Sequence, residues 1–409
     1  MKPSFLFLLL IAFTAQAQTP STGITIGHVD TLYSNILGET RKLWVYVPKQ
    51  AEVGRYTLER FPVVYLLDGE DHFDYVRAIL REMSEGSDLI PPMILVGIVN
   101  ADRNRDFSPT YSTSAWYGDA PRRYRTTGGA ENFTHFLKEE LIPSIESRYP
   151  VAPYRMLIGH SLSGLYTIHA LLHHTELFEA YLAIDPGLRW DNQWMIQQAK
   201  KVFTSKSFQD KKLYLTVANT YKMPMDSLLI SQDTNRASEF IRANFHFASL
   251  LQSSTPQALN FQTRYHESDS HASVPLISIY EGLRFIFDYY HFPAQWGLYL
   301  DPDYQPDSAL IAHFNHVSEK IHYLALPPES RVDRLASGFM TIDQPQKALA
   351  CFRLNIRNYP TSAHAHERLG DFYAAMGDKA KAKEYYTKAL SIKSLPDTRK
   401  KLDRLMAEK

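Results

Sequence analysis

Short apolar runs bounded by turn residues alternate with stretches of helical period over the first two-thirds of the chain. Ile24-Thr25-Ile26 and residues 43–47 alternate apolar and polar side chains and predict strands, with Gly38 in a turn between them. Residues 61–67, 93–99, 156–158, 180–184 and 213–217 are continuous apolar runs, and residues 260–265 follow. Runs of this kind suit strands buried on both faces, as in a parallel sheet. Residues 73–83, 130–148, 164–173 and 238–251 carry helical patterns between the strands, and a helix over 274–290 closes the series. In that last helix Leu276, Ile279, Tyr280, Leu283, Ile286 and Phe287 form one apolar face. Strand and helix in alternation predict an α/β fold, a three-layer domain.

After Pro293 the texture changes. Residues 301–307, rich in Asp and Pro, read as a linker, and beyond them the pattern is purely helical. Leu369, Gly370, Tyr373, Gly377, Ala382, Tyr386 and Ala389 fall at the spacings of a tetratricopeptide repeat. Leu335, Ala336, Phe339, Ala348 and Phe352 occupy the matching places one repeat earlier, and Pro360 stands at the usual exit. The expected organisation is a signal peptide over 1–17, an α/β domain over 18–292, a linker and connecting helix over 293–328, and a small all-α repeat domain over 329–409. So short an array needs a partner surface, so the tail is expected to pack on the α/β domain or to use flanking helices as caps.

The chemistry concentrates at Gly159-His160-Ser161-Leu162-Ser163-Gly164. An apolar strand leads in and a helix leads out, the layout of a nucleophile elbow, which holds a serine hydroxyl on a strained turn and needs small neighbours. Ser163 stands where the common pattern has glycine. Ser161 is therefore the candidate nucleophile. A serine needs a histidine to take its proton and a carboxylate to orient that histidine. In the chain order Ser, acid, His, the base lies after the last strand. His271, in the polar loop just before the closing helix, fits that place better than His266, at the strand's end. His169, His173 and His174 read as surface residues of the helix after the elbow, and His160 as a packing residue. The acid is expected in the loop after the strand over 213–217: Asp226 first, then Asp233, with Glu267 and Asp269 beside the base as further candidates. The oxyanion requires two preset N–H donors. The amide of Leu162 is one, and the amide of Glu70, in Asp68-Gly69-Glu70 after the strand over 63–67, is the other.

Composition narrows the classes. The 44 basic and 44 acidic residues balance, which favours neither nucleic acid nor an anionic membrane surface. Cys351 is the only cysteine, so internal disulfides and cysteine zinc sites are excluded. Lys2, the apolar run 5–13 and Ala15-Gln16-Ala17 have the form of a secretory signal peptide, too short to span a membrane. Cleavage there would leave a secreted or periplasmic protein with no membrane span. Arg103, Arg105, Arg122, Arg123 and Arg125 form a basic stretch suited either to an acidic substrate or to a solvated surface.

Six motifs occur in order: 65–70 (Tyr-Leu-Leu-Asp-Gly-Glu), 105–110 (Arg-Asp-Phe-Ser-Pro-Thr), 128–133 (Gly-Gly-Ala-Glu-Asn-Phe), 140–143 (Glu-Leu-Ile-Pro), 159–162 (Gly-His-Ser-Leu) and 271–275 (His-Ala-Ser-Val-Pro). Over residues 24 to 292 the chain resembles the putative esterase family of α/β-hydrolases, which includes esterase D, enterochelin-type siderophore esterases, feruloyl esterase domains and mycolyltransferases. The resemblance implies an α/β-hydrolase fold without a lid domain. It also implies roles for Ser161, His271 and the Glu70 amide, and leaves the acid open. The activity it implies is that of an exported serine esterase acting through an acyl-enzyme on a small-molecule ester of acylated-carbohydrate, feruloyl or siderophore type, with no cofactor or metal. The alternatives are a catalytically weak binding scaffold that docks a protein partner through its helical repeats, and an acyltransferase using the same triad.

Overall fold

The computed structural model describes residues 23, 25–48, 59–112, 125–221, 230, 232–293 and 296–407. The expected signal peptide lies outside them. Eight strands form one sheet: β1 (His28–Ser34), β2 (Glu39–Tyr46), β3 (Phe61–Leu66), β4 (Ile94–Ile98), β5 (Val151–His160), β6 (Ala180–Ile184), β7 (Lys212–Ala218) and β8 (Asn260–His266). Their order is β1-β2-β4-β3-β5-β6-β7-β8. β1 and β2 pair antiparallel, as do β2 and β4, and every pair from β4 through β8 is parallel. The central strands are apolar on both sides because helices cover both faces. The first strand begins at His28, beyond the expected Ile24-Thr25-Ile26. Its two faces differ, and it hydrogen-bonds on one side to β2. The turn at Gly38 forms as expected, with φ +66°.

Helices α1 (Gly69–Arg81), α2 (Arg103–Phe107), α3 (Ala130–Phe136), α4 (Ile142–Arg148), α5 (Leu162–His173), α6 (Trp190–Val202), α7 (Glu239–Ser254) and α8 (Val274–Ile286) complete the first unit. α3 and α4 belong to the single helix expected over 130–148. It runs through a wide turn at Leu137–Leu141, just before Pro143, which has no N–H for the regular ladder. Two helices, α2 and α6, escaped the sequence. α6 is interrupted in its first turn by three consecutive left-handed residues, Asp191, Asn192 and Gln193, so its start carries no regular apolar period.

The C-terminal region contains α9 (Pro306–Ile321), α10 (Glu329–Thr341), α11 (Pro345–Asn358), α12 (Ala363–Ala375), α13 (Lys379–Ile392) and α14 (Pro396–Ala407). α10/α11 and α12/α13 are two helical hairpins, and the matched positions Ala336, Phe339, Ala348, Phe352, Leu369, Tyr373, Ala382, Tyr386 and Ala389 are all buried. α9 and α14 flank them. One apolar cluster runs without a break from Val64, Leu66 and Met156 on a sheet face, through Tyr154, Phe287 and Tyr290, to Phe314, Phe352 and Leu402. The tail therefore shares a core with the α/β unit. It lies against residues that precede or begin strands: Tyr323, Leu324 and Tyr359 line one cleft with Phe61, Pro91 and Pro153. Arg334 pairs with Asp88 at 3.2 Å, and Arg331 donates to the Phe292 carbonyl at 3.2 Å. The opposite, C-terminal ends of the strands stay free for chemistry.

Candidate active site

β5 ends at His160 and α5 begins at Leu162, leaving Ser161 alone on the turn with φ 62° and ψ −116°. This conformation is strained for a residue with a Cβ, and persists only when neighbours over-determine it. They do. The Ser161 amide donates to the Ile184 carbonyl at 3.0 Å, and the Ser161 carbonyl accepts from Leu165 at 3.0 Å and from Gly187 at 2.8 Å. A Cβ on Gly159 would overlap the Ser163 carbonyl oxygen, so glycine is required there by close approach.

Sheet register brings Asp185 and His271 to this turn. His160 pairs with Ile184 on β6, so Ser161 and Asp185 leave the sheet side by side. β8 runs beside β7 to His266, and the loop after it returns His271 over the same strand ends. His271 Nε2 lies 3.0 Å from Ser161 Oγ, and His271 Nδ1 lies 2.6 Å from Asp185 Oδ2. A carboxylate only accepts, so Nδ1–H donates to Asp185 and Nε2 is left to accept from the serine hydroxyl. Asp185 is fully buried, and its other oxygen accepts from the Ala218 amide at 3.1 Å and from Asn244 Nδ2 at 2.9 Å. Three donors thus fix a carboxylate that has left water.

The sequence did not single out Asp185. Asp226, its first choice for the acid, lies outside the described residues. Asp233 is half-buried and accepts from the Asn235 amide at 2.9 Å, a local turn contact. Asp269 accepts from Ser273 Oγ at 2.9 Å. His266 faces Glu281, at 3.6 Å, and not the serine. The signal that could have found Asp185 was an aspartate directly after an apolar run, in Ile184-Asp185-Pro186-Gly187, one strand earlier than expected.

His271 has two ring neighbours. Phe240 meets His271 edge-on with centroids 5.1 Å apart, and the tilted His160 ring lies 4.4 Å from it. His160 therefore packs, as expected, and it packs against His271. Burial, then the proximity of His271 and His72, lowers the His160 pKa to about 3. It stays neutral at ordinary pH and does not repel a protonated neighbour.

Glu70 and Leu162 both occupy the first turn of a helix, α1 and α5, where backbone N–H groups have no intrahelical acceptor. The bend before α1 is made by Asp68, at φ 53°. Gly69 is needed for a different reason than turning: a Cβ there would stand 2.6 Å from the Gly97 carbonyl carbon of β4. The Glu70 carboxylate is occupied by Asn100, whose Nδ2 donates to it at 2.9 Å. Asp68 is a buried hub. It accepts from Arg103 Nε at 2.6 Å and Nη2 at 2.9 Å, from Asn100 Nδ2 at 2.8 Å and from Ser163 Oγ at 2.6 Å. Burial pushes its carboxyl up, and the hydrogen bonds and charge of Arg103 more than reverse this, leaving the pKa below the usual value. Arg103 is thereby committed to Asp68. Arg105 is committed to Glu39 and Asp106, at 2.5 and 2.8 Å. Arg122 and Arg123 lie outside the described residues.

Residues 34–274 match the family model described as Putative esterase. The chain belongs to this family. Residues 363–394 match a tetratricopeptide repeat. The chain is 32% identical to the ferri-bacillibactin esterase BesA of Bacillus subtilis over 149 residues, covering 34% of this chain and 52% of the relative. It thus spans about half the length of that curated relative. It is 26% identical to the siderophore triacetylfusarinine C esterase of Aspergillus fumigatus over 246 residues, 56% of this chain and 82% of the relative. Among solved structures it is similar to an IroE-like serine hydrolase from Shewanella oneidensis, with TM-score 0.69 and 29% identity over 81% of this chain and 99% of that one. No helix among the described residues is long and apolar enough to cross a membrane.

Proposed function

We propose that this putative esterase is an exported serine esterase that cleaves siderophore-type esters through a Ser161–His271–Asp185 triad. The observation that carries the reading is the hydrogen-bonded line Ser161 Oγ–His271 Nε2–His271 Nδ1–Asp185, at 3.0 and 2.6 Å. Ser161 Oγ attacks the ester carbonyl carbon as its proton passes to His271 Nε2. The carbonyl oxygen becomes an oxyanion, held by the amides of Glu70 and Leu162. Collapse breaks the bond to the leaving alcohol, which takes the proton from His271. Water then attacks the acyl-enzyme, again giving a proton to His271, and the acid leaves as Ser161 is restored. Asp185 holds the imidazole in the tautomer that accepts at Nε2 and stabilises the imidazolium.

Two curated relatives, named as esterases of ferri-bacillibactin and of triacetylfusarinine C, support the substrate class. The sequence form of residues 1–17 supports export. The helical tail, set at the opposite ends of the strands from Ser161, is the candidate surface for a protein partner. The test is hydrolysis of a panel of acetyl, feruloyl and catecholate-siderophore esters by the wild type and by Ser161→Ala. Turnover of the siderophore esters with the highest kcat/KM, lost in the variant, is the expected result. Preference for acetyl or feruloyl esters would replace the substrate class, and an equally active Ser161→Ala would remove the mechanism.

A further inference from the structure

A second cluster of chemically active side chains lies away from the triad, where the far end of α5 meets α3. His174 Nε2 lies 3.0 Å from Glu131 Oε2, and His169 Nε2 lies 3.6 Å from the same oxygen. The three donor atoms all fall within 4.8 Å of one another. His169 is 8 and His174 is 13 positions beyond Ser161, so the cluster begins about 12 Å along the helix from the nucleophile.

Helical spacing alone does not create this group. Residues five apart on a helix point about 140° away from each other. His174 joins His169 because α5 stops at His173 and the next residue leaves helical geometry, with φ −131° and ψ 50°. Sequence spacing therefore suggested surface histidines, whereas the His169 side chain is only 7% exposed. Neither of its ring nitrogens has a hydrogen-bond partner among the described residues. A buried polar atom left so costs about 1–3 kcal/mol, and native structures seldom carry one without a reason.

We infer that Glu131, His169 and His174 form a binding site for a divalent transition-metal ion, with Zn²⁺ as the best fit. Two imidazole nitrogens and one carboxylate oxygen suit Zn²⁺ and disfavour Ca²⁺ or Mg²⁺, which take oxygen ligands. At donor–metal distances of about 2.0–2.2 Å, tetrahedral ligands stand about 3.3–3.6 Å apart. The observed 3.0 and 3.6 Å separations from the Glu131 oxygen bracket that edge, and the two imidazole nitrogens lie within 4.8 Å of each other. Glu131 is 55% exposed and leaves the fourth position open to water. The ion would staple α3 to α5 at the outer edge of an interface already built from Phe133 on Tyr166, with centroids 5.1 Å apart, and Thr134 on the Tyr166 hydroxyl at 2.7 Å. Its role is structural, because none of the three ligands contacts the triad.

The test uses the full chain, stripped with a chelator and dialysed. Zn²⁺ is titrated by calorimetry, and Co²⁺ is added as a spectroscopic stand-in. The expected result is one Zn²⁺ per chain, a raised Tm, and visible Co²⁺ bands of a four-coordinate nitrogen and oxygen site. His174→Gln and Glu131→Gln, both at solvent-accessible positions, should each weaken Zn²⁺ by at least about tenfold while small-ester turnover stays at the wild-type level. His169→Gln should do the same if it folds, and the other two variants carry the test if it does not. No saturable Zn²⁺ binding by the wild type, or equal affinity in His174→Gln and Glu131→Gln, overturns the site.

Discussion

Ser163 Oγ lies 2.6 Å from Asp68 Oδ2, joining the turn at Ser161 to the strand end that precedes Glu70. Both side chains are buried. The same hydroxyl sits 2.8 Å from the His160 amide, which donates to it. Serine in place of the usual glycine is thus more than a tolerated small residue: its hydroxyl ties together the two segments that flank the proposed oxyanion site. Ser163→Ala should cost about 1–3 kcal/mol of unfolding free energy, because a charged hydrogen bond is lost and a buried amide is left without its acceptor. Urea unfolding measures this, and an unchanged midpoint would reject the tether.

Asp68 should make acid unfolding visible. Its folded pKa is depressed, so the stability it contributes is fully present above the ordinary carboxylate pKa of about 3.9 and is lost as pH falls through the lower folded value. Asp68→Asn should be less stable than wild type at neutral pH, and the difference should shrink as pH falls below about 4. A constant difference across that range would show that the charge of Asp68 contributes nothing.

Asp185→Asn should lower kcat by about 10⁴-fold with the fold retained, since an amide would favour the wrong His271 tautomer. Asp226→Ala should stay near wild type. The reverse pattern would return the acid to Asp226.

His160 sets a second pH dependence, of a different origin. Its folded pKa of about 3 lies below the ordinary imidazole value of 6.5, so the unfolded chain takes up a proton that the folded one refuses. Between those two values its contribution makes stability fall with falling pH, by up to about 1.4 kcal/mol per pH unit. His160→Phe keeps a ring beside His271 and should flatten the decline between pH 6 and pH 5, values within the window set by those two pKa values. An equally steep decline in the variant would assign the proton uptake elsewhere.

A chain ending at Pro293 should lose stability and solubility, because the cluster from Val64 to Leu402 would be cut and its sheet-side residues exposed. The folded fraction should still hydrolyse a small activated ester, since Ser161, Asp185 and His271 sit at the other ends of the strands. Loss of turnover in a demonstrably folded fraction would show that the tail shapes the active site.

Much was legible in the sequence because it depends on local pattern. Continuous apolar runs announced β3 through β7, small residues around Ser161 announced the elbow, and repeated spacings announced the two C-terminal hairpins. The proposed base, His271, was chosen from its place before the closing helix. What the sequence left open depends on register and on chain reversal. Asp185 reaches His271 because Ile184 pairs with His160 and the loop after β8 folds back over the strand ends, neither of which has a linear signature. His160 meets His271 across 111 positions of chain for the same reason. His169 and His174 converge only because a helix stops one residue early. A one-dimensional pattern reports which face of an element is apolar. Which side chains then touch is decided by how the elements stack, and the proposed chemistry of this protein lies in those contacts.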